Sequence, residues 1–151
     1  MKKTLLILTA LASLTMANSS RAALGWTLDE CKQHWGEPVR SWAGDRTYYM
    51  FEFNNYIICV AFLHDKVSRA QYCRNVPDSL SSEEIQSILK VNAPSVIWPI
   101  KPDVKDDLGH TKYEWIAAGI SASLEDNRLM IQTNEENEYT EKIFKQNSSD
   151  L

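Results

Sequence analysis

Two helix starts of the same kind, each followed by strands with tight turns, most constrain what this chain can fold into. Thr27-Leu28-Asp29-Glu30 and Ser81-Ser82-Glu83-Glu84 both have the pattern of a capping box. In this motif a hydroxyl and a Glu three residues later each bond a backbone N–H that the helix leaves without a partner. Apolar residues at helical spacing then predict short helices over 28–35 and 82–90.

Segments of alternating polarity follow each helix and predict strands. Phe51-Glu52-Phe53 in the first half resembles Tyr113-Glu114-Trp115 in the second. His64-Asp65 and Asp126-Asn127 suit tight hairpin turns, because Asp and Asn tolerate left-handed backbone conformations. Since caps, strands and turns recur in order, the sequence predicts an internal duplication. The expected fold class is α+β, with two tandem helix-plus-antiparallel-sheet repeats.

The first 22 residues have the features of a secretory signal peptide. Lys2 and Lys3 precede a short apolar stretch, and Ser20 and Ala22 suit a cleavage site after Ala22. The predicted organisation is therefore a signal peptide at 1–22, repeat 1 at 23–75, repeat 2 at 76–134 and a polar C-terminal tail at 135–151. The expected location is the bacterial periplasm or the exterior.

Composition excludes some partners. The formal net charge of the chain is −4, and removal of the leader with its three basic residues takes it to −7. An acidic chain without a basic stripe does not suit nucleic acid. We expect no transmembrane span in the mature chain, since no other stretch is long and apolar enough. No motif for a cofactor or for catalysis is evident, and none is expected.

Residue parity along the strands predicts an unusual apolar face in repeat 1. Phe51, Ile58 and Val67 share the side expected to meet the helix. The opposite side is also apolar, and the predicted binding residues are Tyr48, Met50, Ile57, Leu63 and Tyr72 on this side, with Trp42 nearby. An apolar face of this width is covered by the rest of the chain, covered by a second subunit, or used to bind a partner.

The three cysteines permit one disulfide in an oxidising compartment. Parity favours a pair between Cys31 and Cys73, and Cys59 with Cys73 is the next choice. Cys31 and His34 share a helix side, as a nucleophile and base would, but they match Ile85 and Ile88 in the second helix and read as core positions. One Cys and one His without a second close pair do not predict a zinc site.

The stretch from Gly25 to Tyr72 resembles small outer-membrane assembly lipoproteins of the small protein A type. The matching residues are Gly25, Thr27, Glu30, Gly36, Pro38, Tyr49, Phe51, Phe62, Asp65, Lys66 and Val67. Two such units in tandem are similar to β-lactamase inhibitor proteins. The lipid-bearing cysteine and the first helix of the lipoproteins have no counterpart here. The resemblance implies a binding module and no particular partner.

The sequence therefore predicts an exported, non-enzymatic protein-binding module of the bacterial envelope. Its partner is expected to be another envelope or secreted protein. The alternative is a small-molecule or lipid-binding periplasmic protein with a pocket between helix and sheet or between repeats.

Overall fold

Three helices and eight strands make up the part of the chain that the structure describes. The computed structural model describes residues 23–75, 79–98, 104–105, 111–117 and 119–149, so the predicted signal peptide lies outside the described residues. In chain order the elements are α1 (Leu28–Trp35), β1 (Arg40–Ala43), β2 (Thr47–Phe53), β3 (Tyr56–Leu63), β4 (Lys66–Arg74), α2 (Ser82–Asn92), β5 (Val104–Lys105), β6 (Thr111–Ala117), β7 (Ile120–Glu125), β8 (Arg128–Thr133) and α3 (Asn134–Ser149).

Both capping boxes form as the sequence predicts. The Glu30 backbone N–H donates to the Thr27 hydroxyl at 3.2 Å, and the Thr27 N–H donates to the Glu30 carboxylate at 2.7 Å. Ser81 and Glu84 repeat this arrangement at the start of α2. Helix α1 ends at Trp35 and is capped by Gly36, whose φ of +87° is a conformation that favours glycine.

The strands form one continuous antiparallel sheet in the order β1-β2-β3-β4-β8-β7-β6-β5. The predicted arrangement of two tandem helix-plus-sheet repeats is therefore wrong. Strand β4 pairs with β8, with Arg69 opposite Gln132 and Tyr72 opposite Leu129. Each of these strands would otherwise have a row of unpaired backbone N–H and C=O groups along one edge, and the β4–β8 pairing supplies hydrogen-bond partners for both. The local patterns that predict each hairpin carry no information about which distant strands meet.

Helices α1 and α2 cover one side of the sheet, which we call the inner face. Phe51, Ile58, Tyr72 and Leu129 stand opposite one another across neighbouring strands and are all buried. The Trp35 ring of α1 meets Phe51 at a centroid distance of 5.3 Å. Three apolar side chains of α2 enter the same core: Ile85, Ile88 and Leu89. The Glu84 carboxylate of α2 accepts hydrogen bonds from Tyr56 and Arg74 of the sheet.

Helix α3 packs on the opposite side of the sheet, the outer face. The segment that the sequence suggests as a polar tail is helical here from Asn134 to Ser149. Its Asn137 amide donates to the Ser121 hydroxyl at 3.0 Å, and its Thr140 hydroxyl accepts from the Arg69 guanidinium at 2.9 Å. The sheet thus has α1 and α2 on its inner face and α3 on part of its outer face.

A β-bulge in β4 reverses part of the predicted face assignment. Ala61 stands opposite Arg69, but the next residue, Phe62, stands opposite Val67, so Ser68 is an extra residue in β4. Strict alternation from Val67 puts Tyr72 on the outer face. The bulge turns Tyr72 inward instead, where it is 1% exposed and its hydroxyl accepts a hydrogen bond from Asn92 of α2. The prediction of Tyr72 as an outward binding residue is therefore wrong.

Replacing Tyr72 by Ala should be far more costly than replacing Tyr48. Loss of a fully buried aromatic side chain leaves a cavity, so we expect Tyr72→Ala to lower the free energy of unfolding by about 3–5 kcal/mol. Tyr48 is half-buried, and Tyr48→Ala should cost less than about half as much. Urea denaturation followed by circular dichroism measures both. Equal losses would contradict the bulge.

Candidate functional site

The outer face carries five of the six residues that the sequence predicts for binding. Trp42 lies on the edge strand β1 and is 39% exposed. Its indole stacks on the ring of Tyr48 at 5.4 Å with planes 8° apart. The Tyr48 hydroxyl donates to Asp45 at 2.6 Å, which holds the lower ring in place. The outcome is a rigid aromatic pair with its outer ring open to solvent.

The other three residues of this set are half-buried. Met50 stands next to the aromatic pair on β2, and Ile57 lies on β3 opposite Glu52. Leu63 lines a groove beside α3 together with Tyr139. The outer face is thus not bare: α3 covers one end of it, and the end that carries Met50 and Ile57 stays partly open.

A buried carboxylate fixes α3 to the outer face. Glu136 has no exposed surface, and its carboxylate forms ion pairs with the Arg46 and Arg69 guanidinium groups, the second at 2.8 Å. The Ser68 hydroxyl, from the bulge, donates to the same carboxylate at 2.7 Å. Arg46 also pairs with Asp45 at 2.7 Å. Two positive and two negative charges therefore balance within one cluster.

The cluster extends to the aromatic pair through Asp45. Burial opposes ionisation of this carboxyl, but hydrogen bonds from Tyr48 and Arg46 outweigh it and lower its pKa below the ordinary value. The Arg46 guanidinium lies over the Tyr139 ring of α3 at 4.3 Å from the centroid. The edge hairpin β1–β2 and the helix α3 are thereby held as one unit.

Sequence reasoning missed this cluster altogether. Glu136 sits in a polar run in which several acids look equivalent, and Arg46 follows a turn with no motif around it. A buried ion pair between residues 90 positions apart depends on the β4–β8 pairing. The one relevant signal in the sequence is the pair of acids Glu135 and Glu136, which favours a helix N-terminus at this position but does not predict a buried ion pair.

Removing the buried carboxylate should destabilise the protein strongly. Glu136→Ala leaves two guanidinium groups without their partner, so we expect a loss of about 3–5 kcal/mol in the free energy of unfolding. The matched control is Glu135→Ala, since Glu135 is 65% exposed and its ion pair is with the exposed residue His64; it should change stability by less than about 1 kcal/mol. Similar losses in urea denaturation would contradict the cluster's role.

The structure places the three cysteines on two different faces as free thiols. Cys31 is fully buried on the inner face, near Tyr72. Cys73 stands opposite Ile57 on the outer face, and its thiol donates to the Ile57 carbonyl oxygen at 3.7 Å. The sheet thus separates Cys31 from Cys73, and the predicted disulfide between them is not present. The bulge is the reason, because it moves Cys73 from the inner to the outer face.

The environment of Cys31 does not suit a nucleophile. Burial and the nearby Glu30 raise the pKa of its thiol to about 12, so it stays protonated at neutral pH. The His34 ring stacks on Trp26 at 4.3 Å and is engaged there in packing. Burial also raises the pKa of the thiols of Cys59 and Cys73, and the nearby Cys73 raises the pKa of Cys59 further.

Thiol alkylation should separate these cysteines. In the folded protein under reducing conditions, we expect iodoacetamide to label Cys59 and Cys73, which are half-buried, and to leave Cys31 unlabelled. In denaturant all three should react. Peptide mass spectrometry gives the labelled positions, and labelling of Cys31 at the rate of Cys73 would overturn the placement of its thiol.

A groove opens on the inner face between α2 and strands β6 and β7. It has a volume of about 310 Å³ and is lined by Leu80, Ser82, Ile85, Gln86, Tyr113, Trp115 and Leu124. Trp115 is 3% exposed, and its indole N–H has no hydrogen-bond partner in the part of the chain that the structure describes. A buried donor without a partner is uncommon.

The described ranges hold neither grouped metal-ligating side chains of these types nor a membrane-spanning helix. No three His, Cys, Asp or Glu side chains there come together as a metal site would need. Among the same residues, none of the helices is both long and apolar enough to cross a membrane.

Comparison with known proteins gives distant similarity in structure alone. No family model matches the chain, and no curated protein matches it. One similar solved structure is a cysteine-rich secretory protein of Staphylococcus aureus subsp. aureus Mu50, with 12% identity, a TM-score of 0.46 and coverage of 75% of this chain. The chain spans 45% of the length of that protein. Another is a DUF4309 family protein of Bacillus subtilis subsp. subtilis strain 168, with 13% identity, a TM-score of 0.43 and coverage of 71% of this chain and 78% of the other.

Proposed function

We propose that the protein is an exported, non-enzymatic protein-binding module of the bacterial envelope. The main support is Trp42, a large aromatic side chain that is 39% exposed and held rigidly by its stack on Tyr48. Tryptophan and tyrosine are enriched among the residues that dominate binding energy at protein interfaces. A preorganised ring also loses little conformational entropy when a partner covers it.

The position of Trp42 at the end of the sheet supports the same function. Strand β1 is the first in the sheet order and pairs, among the described residues, with β2 alone. All four residues of β1 are exposed. An edge strand with unpaired backbone groups can accept an extended segment of a partner, and Trp42 would then provide the side-chain contact.

Loss of the Trp42 ring should remove the partner. The tagged protein is used to recover binding proteins from envelope extracts, and we expect Trp42→Ser to reduce the recovered partner at least about 10-fold, which corresponds to about 1.4 kcal/mol. Ile116→Ser is the matched control, because Ile116 is 69% exposed at the far end of the same face. Partners retained by Trp42→Ser, or lost equally with Ile116→Ser, would count against this surface.

The proposal that the protein is exported rests on the sequence pattern of residues 1–22. The basic start, the apolar stretch and the small residues at Ser20 and Ala22 are those of a leader that is removed. We therefore propose a periplasmic or secreted location for the mature chain. N-terminal sequencing of the protein from cell fractions should find a start at Ala23, and an intact Met1 in the cytoplasmic fraction would exclude export.

A small-molecule or lipid ligand is the second candidate, and the groove beside Trp115 favours it. Its largely apolar lining, which includes the Trp115 ring, would take a nonpolar ligand. Solvent extraction and mass spectrometry of the purified protein test this. A ligand that copurifies with the native protein and is absent from Leu124→Trp, which fills the groove, would favour this function over the first.

A further inference from the structure

The sulfur-containing side chains are concentrated on the outer face. Five fall within the described residues, and four of them lie there: Met50, Cys59, Cys73 and Met130. Met50 stands directly opposite Cys59 on the neighbouring strand. Cys73 is the diagonal neighbour of Cys59, since Gln71 lies opposite Cys59 and Cys73 is two residues further along β4. The fifth, Cys31, is buried on the other side of the sheet.

The spacing of this group suits an ion better than a disulfide. Diagonal neighbours across an antiparallel pair have Cα atoms about 7–8 Å apart, with the Cβ atoms closer. A disulfide needs Cα atoms within about 6.8 Å and sulfurs bonded at about 2.0 Å. A metal–thiolate bond is about 2.3 Å for zinc, so two sulfurs on one ion can lie up to about 4.6 Å apart. The thiol of Cys73 already points toward β3, as its hydrogen bond to the Ile57 carbonyl oxygen indicates.

The donor atoms determine which ion could bind. Thiolate and thioether sulfur are soft ligands, and together they select Cu(I) over ions that prefer oxygen or imidazole. All four side chains are half-buried, so an ion can reach them while the sheet shields them in part. Low coordination also fits, because Cys59, Cys73 and the neighbouring Met50 provide three ligands rather than the four of a structural zinc site.

We propose that this sulfur cluster is a binding site for a soft monovalent cation of the Cu(I) class. Cys59 and Cys73 supply two thiolates, and Met50 supplies a thioether as the third ligand. Met130, diagonal to Cys73 on β8, borders the site without belonging to it. The site is independent of the protein-binding function proposed for Trp42.

Competition for Cu(I) tests the site. The reduced protein is titrated anaerobically against a chromogenic Cu(I) chelator, and we expect one equivalent to be retained. Cys59→Ser and Cys73→Ser should each weaken binding by more than the roughly 10- to 100-fold that loss of a supporting contact costs. Met50→Leu keeps the volume of the side chain and should weaken binding less than either cysteine variant. X-ray absorption of the loaded protein should show sulfur ligands alone.

The control variants are Cys31→Ala and Met130→Leu, which should bind Cu(I) as the native protein does. Circular dichroism of every variant checks that the fold is kept. Native affinity in Cys59→Ser or Cys73→Ser, or equal loss in Cys31→Ala, would overturn the site. Isolation of a Cys59–Cys73 disulfide from cells lysed in alkylating agent would also overturn it, because the thiols would then be consumed in a cross-link.

Discussion

The single extra residue in β4 is the constraint on which the rest of the structure depends. Before Ser68 the strand follows one alternation, and after it the other. The shift sends Tyr72 into the core beneath α2 and brings Cys73 to the face of Cys59. The bulged residue, Ser68, also holds the last helix, because its hydroxyl donates a hydrogen bond to the Glu136 carboxylate. One irregularity therefore determines the core, the outer face and the attachment of the last helix.

The attachment of α3 depends on charge rather than on apolar burial. A carboxylate without solvent contact is strongly unfavourable alone, and here two guanidinium groups and a hydroxyl compensate it. Such an arrangement tolerates little displacement, since losing any partner leaves a buried charge. The rest of the helix is weakly apolar, and its Phe144 is 74% exposed. The helix is thus specified in position by a few polar contacts near its start.

Local patterns in the sequence predicted local structure well. The capping boxes at Thr27 and Ser81 formed, and the turns at His64-Asp65 and Asp126-Asn127 have the positive φ angles expected of them. The joining of β4 to β8 could not be predicted, because hairpin signals say nothing about distant partners. The bulge also has no clear signature, since Ser68 fits either face of a strand. The errors at Tyr72 and at the Cys31–Cys73 pair both follow from it.

Helix α3 divides the outer face into a covered part and an accessible part. The sequence predicts a wide apolar surface on this face, and α3 covers the part of it that contains Leu63 and the bulge. What stays accessible has two distinct chemistries: an aromatic pair at the sheet edge and a sulfur cluster one step inward. Met50 follows Tyr48 by two residues on the same strand and so borders both. The two surfaces use different side chains on β2, so a substitution at Trp42 leaves Met50 opposite Cys59 and the three sulfur ligands in place.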